Sequence, residues 1–357
     1  MTVAALEGGV WSAQDTNPAE VAGALRELLR ERHCESDAFM PARVLNLVVV
    51  ADREWRGEIQ NRLERVGRYH ASRTILCAVE PGRKGIDAWA TVTAPHHEEG
   101  SGTIVVGQEE VVLDVGPHHL DHLGSIVDPL VVTDLATVVW SPHGHPEAVD
   151  ALLPVAQVML IDSGNEPDPA AAVCRAGRLV ERAYVVDLAW LRSTPWRERV
   201  ASTFDPPQWR VELPKISAVT VRHSPGSAIA GLLLLGWMAV RLGWRPGALV
   251  SQGGALHGTC HGRRQDVRMR LEPDDMMRTP GLAGLTIETA SGMSISLDRG
   301  PGGLSARRVD RKGRESEWTV MGASRGEAGI LGEGIRQALL RDKTYGPALS
   351  AAGALLG

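Results

Sequence analysis

"RVLNLVVVA", residues Arg43–Ala51, is followed twenty residues later by "SRTILCAVE", residues Ser72–Glu80. Both are unbroken apolar runs rich in β-branched residues. That pattern belongs to strands covered on both faces. Between them Trp55, Ile59, Leu63 and Val66 recur at helical spacing. Strand, helix and strand in under forty residues predict a right-handed βαβ unit. Outward from it the same grammar continues. "TIVVGQEEVVLDVG" reads as two strands around a polar centre, and "HHLDHLGSIVDPLV" as a short helix. "LATVVWSP" and "QVMLIDSG" read as strands, with the helix "PEAVDALLPVA" between them. Residues 41–165 are therefore expected to form an α/β domain with a mostly parallel sheet.

Before this domain, residues 1–40 hold one helix and a linker. Asn17 is placed to cap, Pro18 suits the first helical position, and Glu20 stands three after the cap. Residues 31–42 read as the linker. After the domain, residues 166–345 are expected to form an α+β domain. It holds "PAAAVCRAGRLVERA" as a helix, "ISAVTVRH" as a strand and a long buried helix over 225–243. Strand-like runs split by turns follow, from "DVRMRLEP" to "SEWTVMG", and predict an antiparallel meander. "GEGIRQALLRDK" closes the fold as its last helix, and residues 346–357 read as a C-terminal tail.

The chain has 357 residues, 43% hydrophobic and 23% charged, with a net charge of −5. A soluble protein of two domains is the default at this size. The acidic balance argues against a nucleic-acid binder and against steering to anionic membranes. Cys34, Cys77, Cys174 and Cys260 are far apart and form no CxxC, so free thiols in a cytoplasmic protein are expected. The first residues lack the basic start of a signal peptide. "AIAGLLLLGWMAV", Ala228–Val240, is too short to span a bilayer and reads as a buried helix.

Cofactor motifs are absent. After the first strand comes "ADREWRGE", not GxGxxG, and GxxxxGK[ST] occurs nowhere. No bound cofactor is expected. His118 and His122 stand at i and i+4 in "HHLDHL", but no HExxH accompanies them. "HGTCHG" brings His257, Cys260 and His261 close in sequence; a glycine-bounded loop with a buried thiol accounts for it. No metal is expected at either place. "DSG", Asp162–Gly164, ends a strand where α/β proteins bind ligands, and a helix-entry turn explains it equally.

Two segments remain as candidate sites. "VRHSPGSA", Val221–Ala228, offers Arg222, His223, Ser224, Gly226 and Ser227 around an expected helix N-terminus, with Ser224 as N-cap and Pro225 as its first residue. Free N–H groups and an arginine there suit an anion, and plain capping of a buried helix accounts for each residue type as well. "VVDLAWLRSTPWRERVASTFD", Val185–Asp205, sets Trp190 and Trp196 among Arg192, Arg197 and Arg199. Trp196, Val200 and Phe204 fall at i, i+4 and i+8 and belong to the packed side. An ordinary core-plus-surface segment accounts for these residues; Trp and Arg also dominate interface hot spots, which makes Trp190, Arg192, Arg197 and Arg199 the partner-binding candidates.

This last segment resembles the hallmark of the glucose-6-phosphate dehydrogenase assembly proteins, the OpcA family. "RVLNLVVV", "YHASRTILCAVE", "DHLGSIVDPLVVTDLATVVWSP", "QVMLIDSG" and "GSAIAGLLLLGWMAVRLGW" resemble the family's segments in the same order. The resemblance covers roughly residues 10–345. Asp128 before Pro129, "DLAT" and "VWSP" depart from the family pattern. Family members of photosynthetic bacteria are linked to thioredoxin-type redox control, and the resemblance assigns that role to no particular cysteine among Cys34, Cys77, Cys174 and Cys260. The resemblance implies a non-catalytic protein that binds glucose-6-phosphate dehydrogenase and stabilises its active oligomer. Activation would then be a population shift. The alternative from residues alone is a phosphosugar- or nucleotide-binding protein, even an enzyme, using the Arg222–Ser227 site. The two coexist if the factor senses a sugar phosphate or NADP.

Overall fold

A computed structural model describes the chain except residues 1–4, 8, 36–38, 42, 68–70, 94–104, 301 and 322–325. The protein is α/β and divides into two compact units. One comprises Met1–Ile161 with Arg182–Val186, the other Asp162–Glu181 with Asp187–Gly357.

The first unit is organised on a sheet of ten strands. In chain order its elements are β1 (Ala5–Glu7), β2 (Val10–Thr16), helix α1 (Pro18–Glu35), β3 (Phe39–Pro41), β4 (Leu45–Asp52), α2 (Arg56–Gly67) and β5 (Ser72–Val79). They continue with β6 (Ile86–Thr93), β7 (Val105–Val115), α3 (Leu123–Val127), β8 (Thr137–Trp140), α4 (Pro146–Leu152) and β9 (Val158–Ile161). After helix α5 (Pro169–Val180), β10 (Tyr184–Asp187) completes the sheet. The strand order is β1-β2-β6-β7-β5-β4-β8-β9-β10, with β3 beside β7. The predicted βαβ unit is present: β4 and β5 pair in parallel from Leu45↔Ser72 to Asp52↔Val79. Every residue of β4 from Leu45 to Ala51 is buried. Asn46 is the one polar residue among them. Its side chain donates to the Val132 and Leu135 carbonyls and accepts from Val132 N–H, which ties down the loop before β8.

Asn17 caps α1 as expected, accepting from the N–H groups of Ala19 and Glu20. The helix runs on to Glu35, into the stretch read as linker. "VVGQEEVVLDV" is one strand rather than two. Its polar centre lies inside the sheet because Glu109 is buried and paired with Arg73 at 2.7 Å and with Arg43. Paired charges escape most of the cost that unpaired buried charges incur.

The second unit adds α6 (Leu188–Arg192), α7 (Thr194–Phe204), α8 (Pro207–Arg210), β11 (Ile216–His223), α9 (Ala228–Leu242), β12 (Arg245–Pro246), β13 (Val250–Gln252), β14 (Ala255–His261) and β15 (Asp266–Pro273). Then come β16 (Leu282–Thr289), β17 (Ser294–Gly300), β18 (Gly303–Val309), β19 (Glu315–Met321), α10 (Gly326–Leu340) and α11 (Tyr345–Leu356). Its nine strands run β12-β14-β15-β11-β16-β17-β18-β19, with β13 beside β14. The meander from β16 to β19 is antiparallel throughout. β11 joins it antiparallel to β16 and meets β15 in parallel.

α9 lies on β11 and β15 and is covered in turn by α11. Gly236 permits that crossing: a Cβ there would fall 2.3 Å from the Ala348 carbonyl oxygen. α11 corrects the tail expected over 346–357. Ala348, Leu349, Ala352 and Leu355 are buried, and the two alanines let two apolar helices meet closely. No helix among the described residues is long and apolar enough to cross a membrane. All four cysteines are free, and burial pushes the Cys77 and Cys260 thiols up to about 12 and about 11.

Candidate functional site

The hallmark segment folds around Asp187, which ends β10 and caps α6. Its carboxylate has no solvent exposure and accepts four hydrogen bonds. Ser163 N–H and Ala189 N–H reach Oδ1 at 3.1 and 3.0 Å. The Ser163 and Tyr345 hydroxyls donate to Oδ2 at 2.6 and 2.9 Å. Burial, aided by the neighbouring Asp162, pushes the carboxyl up to about 6, although Ser163 and Tyr345 pull the other way. Tyr345 is held well above its ordinary value, by burial first and then by Asp187.

Beside it, Asp162 caps a single turn through Gly164 N–H and takes both guanidinium nitrogens of Arg192 at 2.9 and 2.7 Å. This two-point pairing is the strong form of an arginine–carboxylate contact. The "DSG" turn is thus a helix-entry turn tied into the segment.

Trp190 is only 2% exposed. Its indole N–H donates to Asp342 at 2.9 Å, and the Arg197 guanidinium carbon stands 3.5 Å from the ring centre. Tyr345 meets the same ring at 5.8 Å with a 59° tilt. Arg197 also donates to the Trp190 carbonyl and to the Thr194 and Ser193 hydroxyls. Burial pulls Arg197 down to about 10 against the attraction of Asp342 and Glu198. Burial pushes Asp342 up, but bonds from Thr344 and Trp190 outweigh it and hold the carboxyl below its ordinary value. Trp196, Val200 and Phe204 are buried, as their spacing predicts. Of the four candidates, then, Trp190 is interior, while Arg192 and Arg197 are half-buried and hold α6 and α7 in place. Arg199 is also half-buried, and its Nε has no hydrogen-bond partner among the described residues. The outward side of α7 carries exposed Glu198, Ala201 and Ser202, with half-buried Thr194, Pro195 and Arg199 beside them.

The second candidate segment is built differently from expectation. Ser224 is not an N-cap. Ser224–Ser227 form a type II turn, with Pro225 at its second position, Gly226 at φ +80° and Ser227 N–H bonded to the Ser224 carbonyl at 3.0 Å. α9 starts only at Ala228. Both serine hydroxyls accept from Gly281 N–H. Arg222 is held between Asp274 and Asp298, carboxylates that compete with any anion. His223 is buried, which lowers its pKa, and its Nδ1–H donates to the Ser224 carbonyl at 2.8 Å.

The histidine motifs separate. His118 and His122 lie in a 3-10 turn, and the β14 alternation puts Cys260 on the face opposite His257 and His261. Sequence reading missed Asp187, Asp342 and Tyr345. A local signal existed for Asp187, an Asp between "YVV" and the next helix. Tyr345 is one of only three tyrosines.

Two family models match the chain in order. The first, described as the N-terminal domain of a glucose-6-phosphate dehydrogenase subunit, matches residues 63–178. The second, described as the C-terminal domain of such a subunit, matches residues 183–349. Two similar curated proteins carry the name "Putative OxPP cycle protein OpcA". That of Synechococcus elongatus is 28% identical over 216 residues, 59% of this chain and 47% of the relative. That of Synechocystis sp. is 27% identical over 175 residues, 48% of this chain and 37% of the relative. The chain thus spans about half or less of the curated relatives it matches. A solved structure titled a probable oxidoreductase, yhhX, covers 87% of this chain and 94% of its own at 10% identity and a TM-score of 0.48. The WlbA (WbpB) dehydrogenase of Thermus thermophilus is 13% identical with a TM-score of 0.43, covering 87% of this chain and 94% of its own.

Proposed function

Because the chain belongs to the glucose-6-phosphate dehydrogenase assembly protein (OpcA) family, we propose that it is a non-catalytic partner of glucose-6-phosphate dehydrogenase that activates it by binding its active assembly better than its inactive one. The observation that carries this reading is the ordered match of both halves of the chain to models described as domains of a dehydrogenase subunit. The geometry agrees with a scaffold. The hallmark aspartates, tryptophan and arginines bind one another and fix α6, α7 and the start of α11.

The docking surface we propose is the outward side of α6–α7. Arg192, Arg197 and Arg199 flank it, and Trp190 supports it from beneath. Glu198 is its exposed charged residue, and its only part in that framework is a through-space attraction to Arg197. Glu198→Arg is therefore the test substitution. Wild-type chain is expected to shift the dehydrogenase's apparent substrate affinity about fivefold or more. Glu198→Arg is expected to require several-fold more protein for the same effect, with unchanged thermal stability. Activation by the variant at wild-type concentrations would reject this face.

A further inference from the structure

At the carboxyl ends of β4 and β8 the chain turns to opposite sides. β4 leads through α2 to β5, and β8 through α4 to β9. Open α/β sheets bind ligands at such a reversal. Val49 pairs with Trp140, so Asp52 and His143 leave the sheet at the same level. His143 Nδ1 accepts Asp52 N–H at 3.1 Å, which puts its own proton on Nε2. Burial lowers the His143 pKa, opposed by Asp52 and reinforced by His145. His145 Nε2 sits 3.0 Å from Asp52 Oδ1 but off the hydrogen-bond direction, and this buried nitrogen has no hydrogen-bond partner. His145 is held there at φ +46°, ψ +62°, unusual for a residue other than glycine. The Ser141 hydroxyl secures the loop by donating to the Gly144 carbonyl at 2.7 Å. Trp55, 46% exposed, places its ring 5.9 Å from that of His143.

These four side chains offer a carboxylate acceptor, an N–H donor at His143 Nε2, a second imidazole and an aromatic face. Asp52 Oδ1 stands 3.0 Å from buried His145 Nε2 and Asp52 Oδ2 3.7 Å from His143 Nδ1, so His145 backs the carboxylate, while no hydrogen-bond partner meets His143 Nε2 among the described residues. An anion suits the place poorly. Asp52 is central, and Arg53 and Arg56 are committed to buried Asp114 at 2.8 and 3.3 Å. A metal also suits it poorly, because the His143 Nδ1 lone pair is taken by Asp52 N–H. A sugar ring matches the set: adjacent hydroxyls both donate and accept, and its C–H face lies on an indole. We propose that Asp52, His143, His145 and Trp55 form a binding site for a neutral polyhydroxyl ligand, a sugar or polyol. The site lies outside the proposed docking surface and does not depend on the partner reading.

Saturation-transfer NMR and calorimetry on the full chain with D-glucose, D-ribose, sorbitol and inorganic phosphate test this. At least one of the three neutral compounds is expected to bind with a dissociation constant of about 1–10 mM, and phosphate not to bind. Asp52→Asn is expected to weaken binding about tenfold, and Trp55→Phe to weaken it less, with melting temperatures near wild type. Trp55→Phe serves independently if Asp52→Asn fails to fold. Phosphate binding in place of the neutral compounds, binding unchanged in both variants, or no binding of any neutral compound at 100 mM overturns the proposal.

Discussion

Trp190→Ala is expected to be the most damaging single change in the hallmark segment, costing about 3–5 kcal/mol of unfolding free energy. Three losses coincide. A buried indole is removed, leaving a cavity between α6 and α11. Asp342 loses its indole donor. Arg197 loses the ring beneath its guanidinium while staying largely desolvated. Trp190→Phe separates these effects. It keeps a ring under Arg197 and against Tyr345 but cannot donate to Asp342, so about 1–2 kcal/mol is expected. Urea unfolding of the two variants against wild type measures both. An Ala cost below about 1 kcal/mol would show that Trp190 does not tie α6 to Asp342, Arg197 and Tyr345.

The second large effect is a pH dependence centred on Asp187. Its carboxyl lies at about 6 in the folded chain, against an ordinary 3.8. Because the folded value is raised, the native state holds a proton that the unfolded chain has released between those values. The group's stabilising contribution is therefore full below about pH 4 and is lost as the pH rises through 6, by on the order of 3 kcal/mol. Asp187→Asn removes the titration and keeps most of the bonding. Its amide oxygen accepts from Ser163 and Ala189 N–H, and its amide nitrogen faces two hydroxyls able to turn and accept. Stability of wild type relative to Asp187→Asn should thus fall between pH 4 and pH 7. A constant difference across that range would show that the four donors fully offset the desolvation of the carboxylate.

What could be read from the sequence divides by distance along the chain. β4, β5 and α9 were legible because burial on nearly every side writes itself as local apolar runs, and the packed face of α7 because Trp196, Val200 and Phe204 repeat at helical spacing. β6 was missed although "IDAWATVT" alternates cleanly, its burial alternating residue by residue. "SPGS" suits either a helix start or a type II turn, and the choice fell to Gly226 and to Gly281, which is remote in sequence. The partners that define the candidate site are remote too. Ser163 is 24 and Tyr345 is 158 residues from Asp187, and Asp298 is 76 from Arg222. An exposed arginine and one held between carboxylates look alike in a sequence. For that reason Trp190, Arg192, Arg197 and Arg222 could be singled out, while their inward roles could not.

The proposed function requires this chain to bind glucose-6-phosphate dehydrogenase. Sedimentation velocity of the purified chain mixed at micromolar concentration with the dehydrogenase from the same organism tests it most directly. A faster-sedimenting complex containing both proteins, absent from either alone, is the predicted result. Two boundaries at their separate positions, with and without the dehydrogenase's substrates, would contradict it.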